Sequence, residues 1–433
     1  MNDQNGPVAT ESSAAELTER LVSVIGLGYI GLPTAATFAA HGRSVVGVDI
    51  SERAVDAINQ GKAHIEEHGL TEMVSQAVAT GKLRAVTKPV AADDFIIAVP
   101  TPVDQETHQP DISYVLAAGR SIAPVLRRGN VVVLESTSPV GTTQRLAHLL
   151  AQLRPDLKFP LDGEQNPDVH LAYCPERIIP GQMLRELVEN DRIIGGMSPR
   201  STEHAIELYG VFVKGKCVPS DDRTAELCKL AENSYRDVNI AFANELSMIC
   251  GNIDIDVWKL IELANRHPRV NILKPGPGVG GHCIAVDPWF IVSGDPERAK
   301  IIRTAREVND SKPEYVLGLV ENALLSKGDR GPSMSIACLG LSYKPDVDDF
   351  RESPALEIAR SLSRRYAGQV ICVDPFAYAL TDSGEDVAGL RTGELAAAIE
   401  SADIVVALVG HSAFSNLAYP ADKVVIDTCG LWG

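Results

Sequence analysis

Two kinds of apolar spacing divide this chain. Short, nearly continuous apolar runs stand at Leu21–Ile25, 44–49, 95–99, 131–134 and 170–173, and stretches of helical spacing, such as 33–40, lie between them. Buried strands alternating with helices predict a doubly wound parallel sheet. From 224 to about 250 the chain keeps helical periodicity without proline or an internal glycine break. Leu227, Ala231, Val238, Phe242 and Ile249 mark its apolar face, which suits a symmetric dimer interface, and Lys229, Asn233 and Arg236 share the opposite one, where Asn233 between two cations suggests a ligand. A second helix is expected at Val257–Ala264. Strand-like runs return at 335–339, 369–374, 404–408 and 424–426, with a helix at 355–364. The expected architecture is α/β: two Rossmann-like doubly wound domains (21–215 and 316–433) joined by a central helical domain (216–315) built on one long helix. Residues 1–20, polar and acidic, are expected to be a disordered leader.

Composition narrows the function classes. A chain of 433 residues exceeds one core, and 45% hydrophobic with 22% charged residues is ordinary for a globular protein. A net charge of −17 without a basic run excludes nucleic acid as the expected partner, and any bound anion needs a local nest of cations and N–H groups. No apolar run is long enough to span a bilayer, so no membrane partner is expected. Eight cysteines without a C-x-x-C pair predict neither a disulfide framework nor a metal site, and point to a reduced, cytoplasmic compartment. Cys338 and Cys372, inside apolar runs, read as core residues.

Gly26-Leu-Gly28-Tyr29-Ile30-Gly31 follows the first strand and opens a helix, and Asp49 ends the second strand. In that context the glycines permit a tight turn and close approach of a pyrophosphate to the helix N-terminus. Asp49 would accept from a ribose 2′-hydroxyl and repel a 2′-phosphate, which favours NAD. Further polar residues gather at strand ends: Thr101 in VPTP, Thr137 in ESTSPVGTT with Ser138 as a helix cap, and Glu176-Arg177 in PER. Each alone also reads as turn chemistry; together they suggest threonines facing a cofactor, an acid orienting water and a cation meeting an anion.

The loop from Pro275 to Asp287 holds Gly276, Gly278, Gly280 and Gly281 ahead of Cys283. Glycines let backbone approach a ligand and leave room around a thiol, so Cys283 reads as a nucleophile. His267 and Arg269 precede it, and lowering a thiol pKa from about 8.5 to about 7 raises its thiolate fraction roughly tenfold near neutral pH. In the last third only Gly340 remains of a glycine fingerprint. Lys344 and Arg351 there fit a single nucleotide diphosphate, or a merely solvated loop.

These segments together resemble the nucleotide-sugar 6-dehydrogenases, the group that includes UDP-glucose and GDP-mannose dehydrogenases. The motifs that carry the resemblance are GLGYIG, VPTP, ESTSPVGTT, PER, Lys229-x-x-x-Asn233, GGHC with Asp287, and LSYKPDVDDFRESP. Stretches such as NRHPRVNILKPGPGVGGHCIAVDPWF are similar to the branch acting on UDP-N-acetyl-D-mannosamine. Val286 stands where glucose and GDP-mannose types carry lysine, which argues for an N-acetylated sugar.

The resemblance implies oxidation of C6 through a thiohemiacetal and a thioester on Cys283, with NAD as cofactor, in surface polysaccharide biosynthesis. It assigns proton transfer and oxyanion stabilisation to Lys229 and Asn233, and water positioning to Asp287 with Thr137 or Glu176. It places substrate at Arg177, Ile178, Lys229, Asn233, Arg236, His267, Arg269, Gly280, Tyr343 and Lys344. NAD falls at Tyr29, Ile30, Asp49, Arg53, Thr101, Thr137 and Arg351 beside the fingerprint glycines. A homodimer through the central helix is expected. The rival readings are a UDP-N-acetylglucosamine 6-dehydrogenase, a two-electron hydroxy-acid dehydrogenase, and a nucleotide sensor without turnover.

Overall fold

The computed structural model describes residues 20–433 except Glu66, Gln105, Gln165, Pro180, His282, 329–332 and 383–384. Of the expected leader, residues 1–19 lie outside the described residues, and Arg20 pairs with Asp94 at 2.6 Å. Two compact units divide the chain, Met1–Leu230 and Ala231–Gly433.

In the first unit the strands are β1 (Leu21–Ile25), β2 (Ser44–Val48), β3 (Leu83–Val86), β4 (Asp94–Ile97), β5 (Asn130–Leu134), β6 (Val169–Tyr173), β7 (Arg192–Gly196) and β8 (Cys217–Asp221). They form one sheet in the order β3-β2-β1-β4-β5-β6-β7-β8. All neighbours are parallel except β6 with β7. Successive residues feed opposite faces: Val22, Val24, Val131 and Val133 join one apolar cluster, and Val46, Val48, Val132 and Leu134 another. Burial on both faces is why these strands read as unbroken apolar runs.

Sequence reasoning missed three strands, each for a physical reason. Strand β3 alternates, with Arg84 exposed. Strand β7 ends in glycines because the chain packs too closely for a side chain; a Cβ on Gly195 would lie 2.3 Å from the Asp221 carbonyl oxygen. Strand β8 is a polar edge strand carrying Pro219, where a missing N–H is tolerated.

The second unit holds a four-stranded parallel sheet of β9 (Ile336–Leu339), β10 (Val370–Val373), β11 (Ile404–Ala407) and β12 (Val424–Asp427), in the order β10-β9-β11-β12. Its helices include Val257–Ala264, Asp287–Gly294, Lys300–Leu325 and Pro354–Arg365. Cys338 and Cys372 are buried between sheet and helices, as expected.

The long helix spans Asp222–Asn252. Leu227, Phe242 and Ile249, on the apolar face, are 45%, 51% and 50% exposed. The inward stripe is polar: Glu226, Lys229, Asn233, Asp237 and Asn244 are all buried. At about 100° per residue these five fall within one narrow sector, opposite the apolar stripe. Arg236, at the edge of the polar sector, is exposed. Periodicity revealed two faces, but polar partners elsewhere in the chain decide which one is buried.

Candidate active site

The first unit presents its polar residues beyond the C-terminal ends of β1, β2, β4, β5 and β6. Gly26 takes φ +90°, and a Cβ there would lie 2.5 Å from the Ala98 carbonyl oxygen. A Cβ on Gly31 would lie 1.8 Å from the carbonyl oxygen of Gly26. Both glycines are therefore demanded by packing. Gly28 is different: nothing lies within 4 Å of an added Cβ, so its surroundings are open to a ligand. The turn thus fits a dinucleotide pyrophosphate at the start of the Gly31–Ala40 helix.

Tyr29 is exposed and Ile30 half-buried. Asp49 is half-buried and accepts from Leu27 N and Ser51 N, each at 2.9 Å. Its carboxylate therefore also ties the glycine turn to the end of β2, a role the sequence did not reveal. Arg53 is exposed on the next helix, Glu52–Asn59.

The β4 and β5 ends are tied together. Ser136 Oγ accepts from Val99 N at 2.9 Å and donates to Val99 O at 2.7 Å, and Thr101 Oγ1 donates to Thr137 O at 2.5 Å. Ser138 is not the cap expected of it. Its hydroxyl donates to Ser136 O, and the helix begins further on, at Thr142–Leu153. The cap comes from the long helix: Glu226 accepts from Gly141 N (2.6 Å), Thr143 N (2.8 Å) and Thr143 Oγ1 (2.7 Å). Burial pushes the Glu226 pKa up to about 7 despite these donors. Glu135, also buried, accepts from Arg192 at 3.0 Å and from Thr34 Oγ1 at 3.1 Å, which fixes the helix behind the glycine turn.

One turn after Glu226, Lys229 is 6% exposed and pairs with Glu176, its Nζ 3.0 Å from Oε1. Glu176 Oε2 also accepts from Ile178 N at 2.9 Å. An ammonium and a carboxylate held together away from water can pass a proton to and from a bound oxygen. Arg177 donates to the Asp191 carbonyl oxygen at 3.2 Å, and its own carbonyl accepts from Asn190 at 2.7 Å.

In the second unit the glycine-rich loop ends in a turn that opens the Asp287–Gly294 helix. Asp287 N donates to Cys283 O at 2.9 Å. Cys283 is the one exposed cysteine of the eight, none of which is in a disulfide. A buried, inert thiol is excluded. Asp287 is buried and accepts from Asn233 Nδ2 at 2.5 Å. The loop glycines have a further cause than room around sulfur. A Cβ on Gly280 would lie 2.5 Å from the Glu352 carbonyl oxygen, on Gly278 2.8 Å from Pro354, and on Gly281 3.1 Å from the Tyr343 ring. The loop is pressed onto the 343–354 segment, so close packing requires Gly278 and Gly280, and Gly281 is held to glycine by its φ of +81°.

Lys344 Nζ stands 5.7 Å from the Tyr343 ring centroid, and Arg351 makes a two-pronged pair with Asp349 at 2.8 and 2.6 Å. His267 and Arg269 are exposed, on the turn after Val257–Ala264. Asp374, the acid ending β10, accepts from Leu341 N at 2.7 Å and lies 3.2 Å from His411 Nε2. Among the described residues no cluster of His, Cys, Asp or Glu is gathered to hold a metal ion, and no helix is long and apolar enough to cross a membrane.

Comparison with known proteins bears on these features. Residues 20–213 match the NAD binding domain, 223–311 the central domain and 337–433 the UDP binding domain of the UDP-glucose/GDP-mannose dehydrogenase family. The NDP-N-acetyl-D-galactosaminuronic acid dehydrogenase of Ralstonia nicotianae is 56% identical over 421 residues, 97% of this chain and 98% of its own. The UDP-N-acetyl-D-mannosamine dehydrogenase of Escherichia coli K12 is 54% identical over 418 residues, 95% of this chain and 99% of its own. The solved UDP-D-ManNAc dehydrogenase from Pyrococcus horikoshii superposes with a TM-score of 0.84 at 38% identity, covering 95% of this chain and 96% of that one. With its fingerprint turn, its exposed loop thiol and all three domains matched, this chain belongs to the UDP-glucose/GDP-mannose dehydrogenase family and uses NAD as its cofactor.

Proposed function

We propose that the chain oxidises C6 of UDP-N-acetyl-D-mannosamine to the carboxylate, removing four electrons through a covalent intermediate on Cys283. The observation that carries this reading is the single exposed thiol, held on a glycine loop whose following helix begins with Asp287 bound to Asn233. Open space at Gly28 and the half-buried Asp49 suit the cofactor, with Tyr29, Ile30, Arg53, Thr101, Thr137 and Arg351 as its further contacts. Bound NAD supplies hydride acceptance, once for each of two oxidations.

The Lys229–Glu176 pair takes the proton from the C6 hydroxyl as its carbon gives up hydride: the ammonium passes one proton to the carboxylate and regains one from the hydroxyl. The Cys283 sulfur then adds to the aldehyde carbon, and the carbonyl oxygen gains a proton to give a thiohemiacetal. The Lys229 ammonium and the Asn233 amide stabilise negative charge on that oxygen. Loss of the second hydride and the hydroxyl proton leaves a thioester. Water positioned by Asp287, with Glu176 or Thr137, adds to the carbonyl. The C–S bond breaks, and the thiol regains its proton. In balance, alcohol and water yield carboxylate, two hydrides and three protons. Arg177, Ile178, Arg236, His267, Arg269, Gly280, Tyr343 and Lys344 hold the nucleotide sugar.

The 56%-identical relative, named for an N-acetyl-D-galactosaminuronic acid, favours a second reading in which the same chemistry acts on another 2-acetamido epimer. The outward apolar stripe of the Asp222–Asn252 helix supports a homodimer. Eight cysteines outside any disulfide suit a cytoplasmic enzyme, whose activated uronate would be a donor for surface polysaccharide. The test is a panel of UDP-sugars with NAD, counting NADH per sugar. Two NADH, with the manno epimer turned over fastest, is expected; one NADH with free aldehyde would falsify the covalent route. Cys283→Ser should stop acid release, and a gluco or galacto preference would move the reading to that epimer.

A further inference from the structure

We propose that Asn244 and Asn309 are positioning residues that set the Cys283 loop from behind, through a one-way chain of buried hydrogen bonds. Asp237 anchors the chain. Its carboxylate only accepts, taking Arg306 Nη1 at 2.7 Å and Asn309 Nδ2 at 2.8 Å. Asn309 Nδ2 also donates to the Asp237 carbonyl oxygen at 3.1 Å, so its amide can face only one way. Its oxygen then accepts from Asn244 Nδ2 at 2.9 Å, and Asn244 Oδ1 is left to accept from Gly276 N, also at 2.9 Å. A carboxylate at one end and a backbone N–H at the other fix both amides without ambiguity. Asp237, Asn244, Arg306 and Asn309 are all buried.

The loop needs such a brace. Its glycines carry little conformational preference of their own, and the thiol it presents is exposed. Asn244 fixes the loop at its start, while Asn233 holds Asp287, at the end of the loop, which donates to the Cys283 carbonyl oxygen. Asn233 and Asn244 lie eleven residues apart on one helix, about three turns, and so share a face. One rigid element therefore grips both ends of the segment that carries the nucleophile. The inference rests on the proposed role of Cys283, but the brace itself is testable apart from it.

The experiment compares the parent with Asn244→Leu/Asn309→Leu, which removes both amides together, and with Gly276→Pro. The proline deletes the donated N–H from the loop side and sets its Cδ toward Asn244 Oδ1; Gly276→Ala, whose Cβ has room and which keeps that N–H, is its reference. Deuterium exchange of the 272–286 segment, melting temperature, kcat, and KM for NAD are measured on each. Faster exchange in that segment and kcat lowered tenfold or more, with KM for NAD within twofold, are expected in both tests. Wild-type exchange in the segment overturns the brace, as does a loosened segment with undiminished kcat. Should the parent turn over no UDP-sugar while the variants still exchange faster, the brace holds and the assigned reaction has failed. If the double variant does not fold, Gly276→Pro against Gly276→Ala decides alone.

Discussion

Replacing Glu226 by Gln isolates a buried charge that joins the long helix to the end of β5. Its carboxylate is fully buried and takes three donors from Gly141 and Thr143. Burial outweighs them and moves its pKa from 4.5 to about 7. The folded pKa is thus above the unfolded one, so the folded state binds the proton more tightly. That stabilisation is complete below pH 4.5 and is lost as pH rises to about 7. A difference of that size is worth about 3 kcal/mol in full. Between about pH 5.5 and 8.5 the share that titrates is about 2 kcal/mol, or about 4–8 °C for a unit of this size. A glutamine at this position cannot titrate. Scanning calorimetry of parent and Glu226→Gln across that range should therefore show the variant gaining on the parent by this amount as pH rises. Parallel melting curves, or a parent that gains with pH, would mean that the three donors hold the carboxylate ionised, and the reasoning would be wrong.

Three further outcomes are expected. Gly280→Ala forces a Cβ to within 2.5 Å of the Glu352 carbonyl oxygen, so it should cost about 1–3 kcal/mol and lower acid production; a variant with parental melting and turnover would contradict the packing account. Asp49→Asn weakens a charged acceptor, so KM for NAD should rise roughly tenfold or more and discrimination against NADP should fall, measured with both cofactors. Phe242→Glu places a charge on the outward apolar stripe and should halve the mass seen by light scattering; an unchanged mass removes this helix from the subunit interface.

Much of the fold is legible because strands buried on both faces must be apolar throughout, and turns around nucleotides must be glycine. The runs at β1, β2, β4, β5 and β6, and those of the second sheet, are of this kind. Strand β8 escaped because an edge needs neither apolarity nor every N–H. The long helix was legible as a helix with an apolar and a polar face, but the burial of Glu226, Lys229, Asn233, Asp237 and Asn244 was not. Spacing gives the angle between two stripes and says nothing of which finds partners. The candidate site divides in the same way. Gly28, Asp49 and Cys283 announce themselves through local context. The pairing of Lys229 with Glu176, and that of Asn233 with Asp287 across 54 positions, belongs to the tertiary fold. Asn244 and Asn309 carried no local signal, because a buried asparagine looks in sequence like any other helix surface residue.

The inward polar stripe also sets a rule for how this segment can vary. On its outer side the Asp222–Asn252 helix can exchange one apolar residue for another with little effect on what lies behind it. Its length is another matter. Inserting or deleting one residue between Asn233 and Asp237 would turn everything beyond by about 100°. Asn233 could then keep Asp287 only if Asp237 and Asn244 swung out of register with Arg306 and Gly276. Substitutions can accumulate along this stretch one at a time, but a change in residue count would set those links against one another at a stroke.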